Sequence, residues 1–574
     1  MRRQRRGLQL LALILGLSMI AAACGGDDDD GDASGDDTSG DEAEVETQDG
    51  GDLVIGAEQQ PDTMDWIDSR AGSSWGSWMV SYNTIPRSYD IVKQDDDTWQ
   101  WEPSNLLDGE PELETDPTQV VTYSLNPDAV WSDETPITCA DYVYTWDQIV
   151  NGESIYDRTG YQDIESVECP DDQTVVVTFA QSYAGWKQLF GGQFGIFPAH
   201  LLEGKDRNAE MANGYEWSGG PWMLDGGSSG WVKDTSIKLV PNENYWGTVP
   251  TLDSVTFQIM ADTAAAFEAF KTNTVSAIYP QPQPDAIAEI SAGIPGTLSS
   301  INAEATPNAE ALWLNNEAFP FDSQAVRQAF AYAIDRDAIV EGLFGDLGVT
   351  EAMNSFNQTV LGDFGDPDAF AGYTQDLDKV DELMEGDGWE KGDDDIWAKD
   401  GQRAEIVFKT TAGNERRERT QELIQEQATD AGFEITIDNQ QANDLFGTQL
   451  PEGNYALALY AQVLTSIEPS LSSLFISANI PSAENEFSGQ NWTRTNIPEA
   501  DEPLAEVDSN PDPDARSEAQ ATADALLAED ATSIPLDPLP TIFLWSDEIV
   551  GPAEGEDNPI WGPFYDMNEW ALKA

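Results

Sequence analysis

The chain has 574 residues, of which 106 are Asp or Glu and 27 are Lys or Arg, giving a formal net charge of -79. Such a surface repels phosphate backbones and excludes nucleic acid as a partner. Its length exceeds one compact core, so two or three domains are expected, and a hydrophobic content of 40% is enough to build them. The single histidine, His200, sits in an apolar, Pro-containing stretch and reads as structural. It leaves little room for a Ser-His-Asp or Cys-His arrangement or a histidine-rich zinc site. No phosphate loop, dinucleotide fingerprint or zinc-ligand spacing is present, so no cofactor or metal is implied. At ~1 M salt the Debye length falls to about 3 Å and self-repulsion is largely screened, so the composition points to a saline habitat.

The first elements form an export leader. Met1–Arg6 carries four arginines, and Leu8 to Ala23 carries no charge. This apolar run is shorter than the ~20 residues a membrane span needs and matches a secretory signal. Ala21-Ala22-Ala23-Cys24 resembles the lipobox of bacterial lipoproteins, with Cys24 as the lipidation site and residues 1–23 as the signal peptide. The alternative is an ordinary cleavable signal with an incidental cysteine. The arginine pairs leave Tat export beside the favoured Sec route. From Asp27 to Asp52 there are thirteen acidic residues and no Lys or Arg. Such a segment cannot bury enough apolar surface to offset its conformational entropy. Residues 24–50 therefore read as an acidic disordered tether on the extracytoplasmic face of the cell membrane. Of the remaining cysteines, Cys139 and Cys169 are expected to oxidise outside the cytoplasm; the alternative is two buried free thiols.

Order is expected from near Asp52. Asp52–Gln60 is strand-like, and Val120–Pro127 alternates Val121, Tyr123 and Leu125 with polar neighbours. A turn at Ser132–Pro136 leads into a helix capped by Thr138-Cys139-Ala140-Asp141. Thr174–Ala180 is a β-branched strand. Two strand-like runs flank the Gly-rich turn after Trp222. Asp262 caps a helix over Ala264–Lys271, and Val275–Tyr279 follows as a strand. Val326, Ala329, Phe330, Ala333 and Ile334 recur at helical spacing behind Asp322 or Ser323. Strand Ile406–Phe408, helix Arg417–Ala431 and the alternating strand Phe433, Ile435, Ile437 make a βαβ unit with a parallel pair. The body is α/β, with a more antiparallel first third.

Four stretches in order carry a family resemblance: Val120–Ile149, the "GGPWMLDGG…IKLVPNENYWG" segment, "FQIMADTAAAFEAFKTNTVSAIY" and "NNEAFPFDSQAVRQAFAYAIDRDAIV". The chain resembles the bacterial extracellular solute-binding proteins of the oligopeptide, dipeptide and nickel class (family 5), which serve ABC importers. The resemblance implies a periplasmic-binding-protein-like fold (type II, cluster C-like) of two lobes joined by a hinge plus an inserted third domain. Domain I would comprise 51–88, 216–303 and 532–574, the inserted domain II 89–215, and domain III 304–531. It implies a monomeric binder, not an enzyme, that delivers a peptide to a permease. A sugar or nickel chelate on the same fold, or a secreted carbohydrate-active hydrolase, is the alternative. In peptide-binding relatives acidic residues line the cleft at places held here by Thr465, Trp313 and Arg70. These departures suggest a ligand that stacks on an aromatic or carries negative charge. Trp75, Trp78, Trp492 and Trp545 complete the expected ligand-binding set.

Overall fold

The run Leu53-Val54-Ile55 becomes the central strand Asp52–Ala57 of an eight-stranded sheet, with Leu53 and Ile55 fully buried. The structure is a computed structural model that describes residues 45–71, 74–94, 98–192, 194–260, 262–303, 306–362, 364–464, 466–468, 470–552 and 558–574. The leader, Cys24 and Thr465 therefore lie outside the described residues. Asp52–Ala57 pairs in parallel with Ser254–Ile259 and with Ala277–Ile278. A strand buried on both faces reads as a continuous apolar run rather than an alternation, as Leu53–Ile55 does. Beyond Ala277–Ile278 the sheet continues antiparallel into Thr541–Ser546 and then Thr297–Asn302.

A second, five-stranded sheet has the order Glu434–Ile437, Glu405–Lys409, Leu457–Val463, Asn308–Leu314, Ile534–Pro538. Its βαβ unit has the expected parallel pair, with Ile406 opposite Ile435. The connecting helix runs Glu415–Asp430, two residues earlier than its apolar spacing suggests, because the Asn414 side chain caps it by accepting from the Arg417 N–H. Gly432 ends it at φ +94°; a Cβ there would lie 2.8 Å from the Trp397 ring.

The chain passes between the two sheets twice, at neighbouring places. It leaves the first at Asn302 and enters the second at Asn308; it returns from Pro538 to Thr541. Leu539 N–H donates to Asn308 O, so the two crossings are bonded side by side. A smaller antiparallel sheet, Glu112–Glu114, Val120–Ser124, Thr174–Phe179, Ile164–Asp171, supplies the antiparallel first third. Helix Cys139–Asn151 packs on it, with the Thr138/Asp141 capping box formed. Cys139 and Cys169 are disulfide-bonded, Cα to Cα 5.7 Å, tying the helix to an edge strand.

Two local expectations change. Order starts before Asp52: Thr47–Gln48 pairs with the C-terminal strand Ala571–Lys573. The strand expected over Val275–Tyr279 shrinks to Ala277–Ile278, because Thr274 and Val275 N–H still donate to Ala269 O at the end of the preceding helix.

Candidate functional site

A cleft opens at the two crossings. Asn308 and Leu539-Pro540-Thr541 form its floor. One wall comes from segment Ser74–Tyr82 and from Tyr279–Pro282, on the side of the eight-stranded sheet. Trp75 and Trp78 lie one turn apart with ring centroids 5.9 Å apart, and Tyr279 meets Trp78 edge-on at 5.6 Å. Trp78 Nε1 donates to Ile560 O at 3.0 Å, which fixes its ring. Gly562 sits at φ +67° directly against that ring; a Cβ would come within 2.7 Å of it. Trp78 belongs to a π-helical turn, Ser77–Ser81, in which the Tyr82 N–H reaches Ser77 O. Such turns are rare and concentrate at functional sites.

The facing wall is the end of strand Leu457–Val463 with Phe446 and Trp492. Phe446 lies in a second π-helical turn, Leu445–Gln449. Its ring meets Tyr460 at 5.6 Å and 90°, and Tyr460 lies 6.0 Å from Trp492. Strand Leu457–Val463 is paired along its whole length with Asn308–Leu314, but with Glu405–Lys409 only at Leu457 and Ala458. From Tyr460 onward that side of the strand pairs with no described strand and lines the cleft. An unpaired strand edge is a template for an added extended chain. From the inserted sheet's side of the fold, Tyr156 completes the lining, its hydroxyl donating to Gln490 Oε1 at 3.1 Å.

Arg417 brings charge to the cleft. Its Nε and Nη2 donate to Glu310 at 2.7 and 3.1 Å, and Nη1 donates to Thr411 Oγ1 at 3.0 Å. Arg416 also donates to Glu310, at 3.1 Å, and to Gln281 Oε1 at 3.3 Å, a contact between residues on the two sides of the crossings. Burial works to raise the Glu310 pKa, but the two guanidiniums outweigh it and hold the carboxyl below its ordinary value. Asp537, opposite Glu310 in register, is fully buried, and neither carboxyl oxygen has a hydrogen-bond partner among the described residues. Burial, reinforced by Glu310, pushes it up to about 8. Glu58, which accepts from the Gln281 N–H at 3.2 Å, is pushed to about 7 by burial. The cluster thus holds two guanidiniums, the ionised Glu310 and a Glu58 that is about half ionised near neutral pH.

Residues 102–480 match the family model of bacterial extracellular solute-binding proteins, family 5. The chain belongs to that family. A 166-residue stretch is 35% identical to the oligopeptide-binding protein OppA of Mycobacterium tuberculosis, covering 28% of this chain and 27% of that protein. The chain thus spans about a quarter of the length of this curated relative. The oligopeptide-binding protein AppA of Bacillus subtilis, solved with a nonapeptide, superposes with a TM-score of 0.79 at 19% identity, over 92% of this chain and 100% of AppA. NikZ of Campylobacter jejuni, solved with Ni(L-His), gives 0.75 at 18% identity, over 90% and 99%. At these identities the likeness is one of fold, and it establishes the two-lobed periplasmic-binding-protein-like architecture.

Within this family 5 fold, three of the expected ligand-binding residues, Trp75, Trp78 and Trp492, line the cleft together. Three others do not. Arg70 is half exposed and bound two-pronged to the buried Asp68 at 2.7 and 2.8 Å, because that carboxylate is only two residues away. Trp313 stacks on the back of Tyr460 at 5.1 Å and donates to Tyr460 O, so it supports the wall from inside the sheet core. Trp545 is buried on strand Thr541–Ser546 against Phe543. Tyr279, Phe446, Tyr460, Asn308 and Arg417 enter the site without having been singled out in the sequence. His200 is structural in setting: Nε2 lies 3.0 Å from Asp133 Oδ2 at the surface. No described helix is long and apolar enough to cross a membrane.

Proposed function

We propose that this protein is an extracytoplasmic solute-binding lipoprotein that captures a peptide between two lobes and passes it unchanged to an ABC-type import permease. The observation that carries the reading is the unpaired edge of Leu457–Val463 facing a cleft at a double strand crossing. A peptide backbone can add to that edge, and side chains fall against the aromatic walls. Two adjacent crossings form the hinge, and the lobes correspond to domains I (51–88, 216–303, 532–574) and III (304–531), with 89–215 inserted as domain II. A ligand drives closure by the extra contacts it makes in the closed form. Rings, amides and one guanidinium suit retention, whereas glycoside cleavage calls for two carboxylates facing across one bond.

Cys24 is the lipid anchor in this reading, and the acidic segment after it holds the body off the membrane. The full-length protein, titrated with a mixed peptide library, is expected to retain peptide stoichiometrically without product and to contract in solution scattering. Unchanged dimensions with every peptide, or the appearance of cleaved products, would overturn the reading. Cys24→Ala is expected to shift the protein from the membrane fraction to the medium; retention on the membrane would remove the lipid anchor from the account.

A further inference from the structure

Asp and Glu supply 106 of the 574 residues, yet none of the described residues lining the cleft is acidic. Arg417 is the charged residue among them. Rings dominate instead, and they form two separate clusters: Trp75, Trp78 and Tyr279 on one wall, Phe446, Tyr460 and Trp492 on the other. Both clusters line the same cleft and face its open space. Each cluster is held from behind: Trp78 by its bond to Ile560 O, Tyr460 by Trp313, and Trp492 by the Tyr455 hydroxyl donating to Trp492 O at 2.8 Å. Rings fixed in this way need no reorganisation to receive a flat group.

The lining also carries polar side chains, among them Ser77, Gln281 and Gln462, and two further polar features suit a ligand backbone. The strand edge from Tyr460 to Val463 is one of them. Asn308 is the other: its Oδ1 is buried with no hydrogen-bond partner among the described residues, on the cleft floor. A buried acceptor left unmade is costly, so a ligand N–H that reaches it is strongly favoured.

From these features we infer that the cleft selects solutes bearing an aromatic or large apolar side chain, clamped between the two ring clusters, and rejects those bearing a basic one. The inference rests on the reading of this cleft as the solute site. Rings alone attract cations, and a cage of rings could on that ground favour a basic group. Here Arg417 shares the cleft, and in the buried cluster behind it Arg416 and Arg417 both bond Glu310. A ligand ammonium would enter with no described counter-charge in the lining and with a fixed guanidinium beside it.

The test uses the full chain and pentapeptides Ala-Ala-X-Ala-Ala with X = Phe, Trp, Ala or Lys, read by calorimetry, with choline as the probe of ring-only cation binding. The Phe and Trp peptides are expected to bind at least tenfold tighter than the Ala peptide, and the Lys peptide weaker than Ala. Phe446→Ala, at a partly buried position, is expected to cut Phe-peptide affinity about tenfold and so to narrow its margin over the Ala peptide. Equal affinities for Phe and Lys peptides, or tight choline binding, would overturn the selectivity and leave solute capture standing. Absence of binding by all four peptides, with no change in scattering, would overturn both.

Discussion

Glu310 and Asp537 face each other across neighbouring strands, beside Arg416 and Arg417. Glu310 carries the full counter-charge; Asp537, at about 8, is mostly protonated at neutral pH, and Glu58, at about 7, is partly ionised. Glu310→Gln leaves two buried guanidiniums without it, and removing one partner of a buried pair costs about 3–5 kcal/mol. Asp537 is placed to take over part of the role. The charge of Glu310 helps keep the Asp537 pKa high. Once that charge is gone, the guanidiniums draw the proton off, and a second carboxylate appears. Glu310→Gln alone is therefore expected to cost less than the full figure, about 2–3 kcal/mol. Asp537→Asn alone is expected to stay within about 1 kcal/mol at pH 7, because the group it replaces is already mostly uncharged. The double variant has neither of the two facing carboxylates to recruit and is expected to exceed the sum of the two by more than about 1 kcal/mol. Urea unfolding of the four proteins at pH 7 gives the cycle directly. Additivity within about 0.5 kcal/mol, or an Asp537→Asn cost equal to that of Glu310→Gln, would refute the division of charge.

Further outcomes follow from the same structure. Burial holds Asp537 at about 8, Glu58 at about 7, and Asp508 and Asp524 at about 6, all above the ordinary carboxyl values near 4. Between those limits the folded state keeps protons that the unfolded chain releases, so this contribution to stability falls as pH rises from about 4 to 8; Asp537→Asn is expected to flatten the upper part of a melting-temperature profile from pH 6 to 8, and an unchanged slope would count against it. Cys139→Ser with Cys169→Ser opens a loop of sequence separation 30, which on the chain-entropy model removes about 3.6 kcal/mol; calorimetry should show an early transition while peptide titration is unaffected, because the bond lies in the small antiparallel sheet and not in the cleft. A net charge of -79 implies a melting temperature that climbs between ~0.1 and ~1 M salt as the Debye length shortens from about 10 to 3 Å, and a flat response would remove self-repulsion as a controlling term.

The secondary structure was largely legible because its signals are local. Thr138 and Asp141 cap one helix as their spacing indicates, and Asp262 caps another by accepting from Ala265 N–H. The site was legible only in part because it is assembled from residues far apart in the chain, between Gln59 and Ile560, with no spacing to mark them. Trp313 and Trp545 lie on strands buried along nearly their whole length. On such strands alternation does not distinguish the cleft face from the core face, so tryptophan content alone could not separate Trp492 from Trp313. Arg70 is different: Asp68-Ser69-Arg70 already offers a local partner, and that short-range pairing won over a role in the cleft.

The division of charge between surface and cleft has a consequence for how selectivity is expressed. An acidic exterior attracts basic solutes at long range and speeds their encounter at low ionic strength. The cleft, with rings and a guanidinium, works in the opposite direction on the bound state. Association rate and equilibrium affinity are therefore expected to rank peptides differently in dilute buffer: Lys-containing pentapeptides would arrive faster but leave faster, and Phe-containing ones would be retained. At ~1 M salt the long-range field is screened, so the rate advantage of basic peptides should disappear while the preference for Phe persists. Stopped-flow titration at the two salt levels separates the terms, and a preference for Phe that vanishes with the rate advantage would mean that discrimination lies in the surface field and not in the rings.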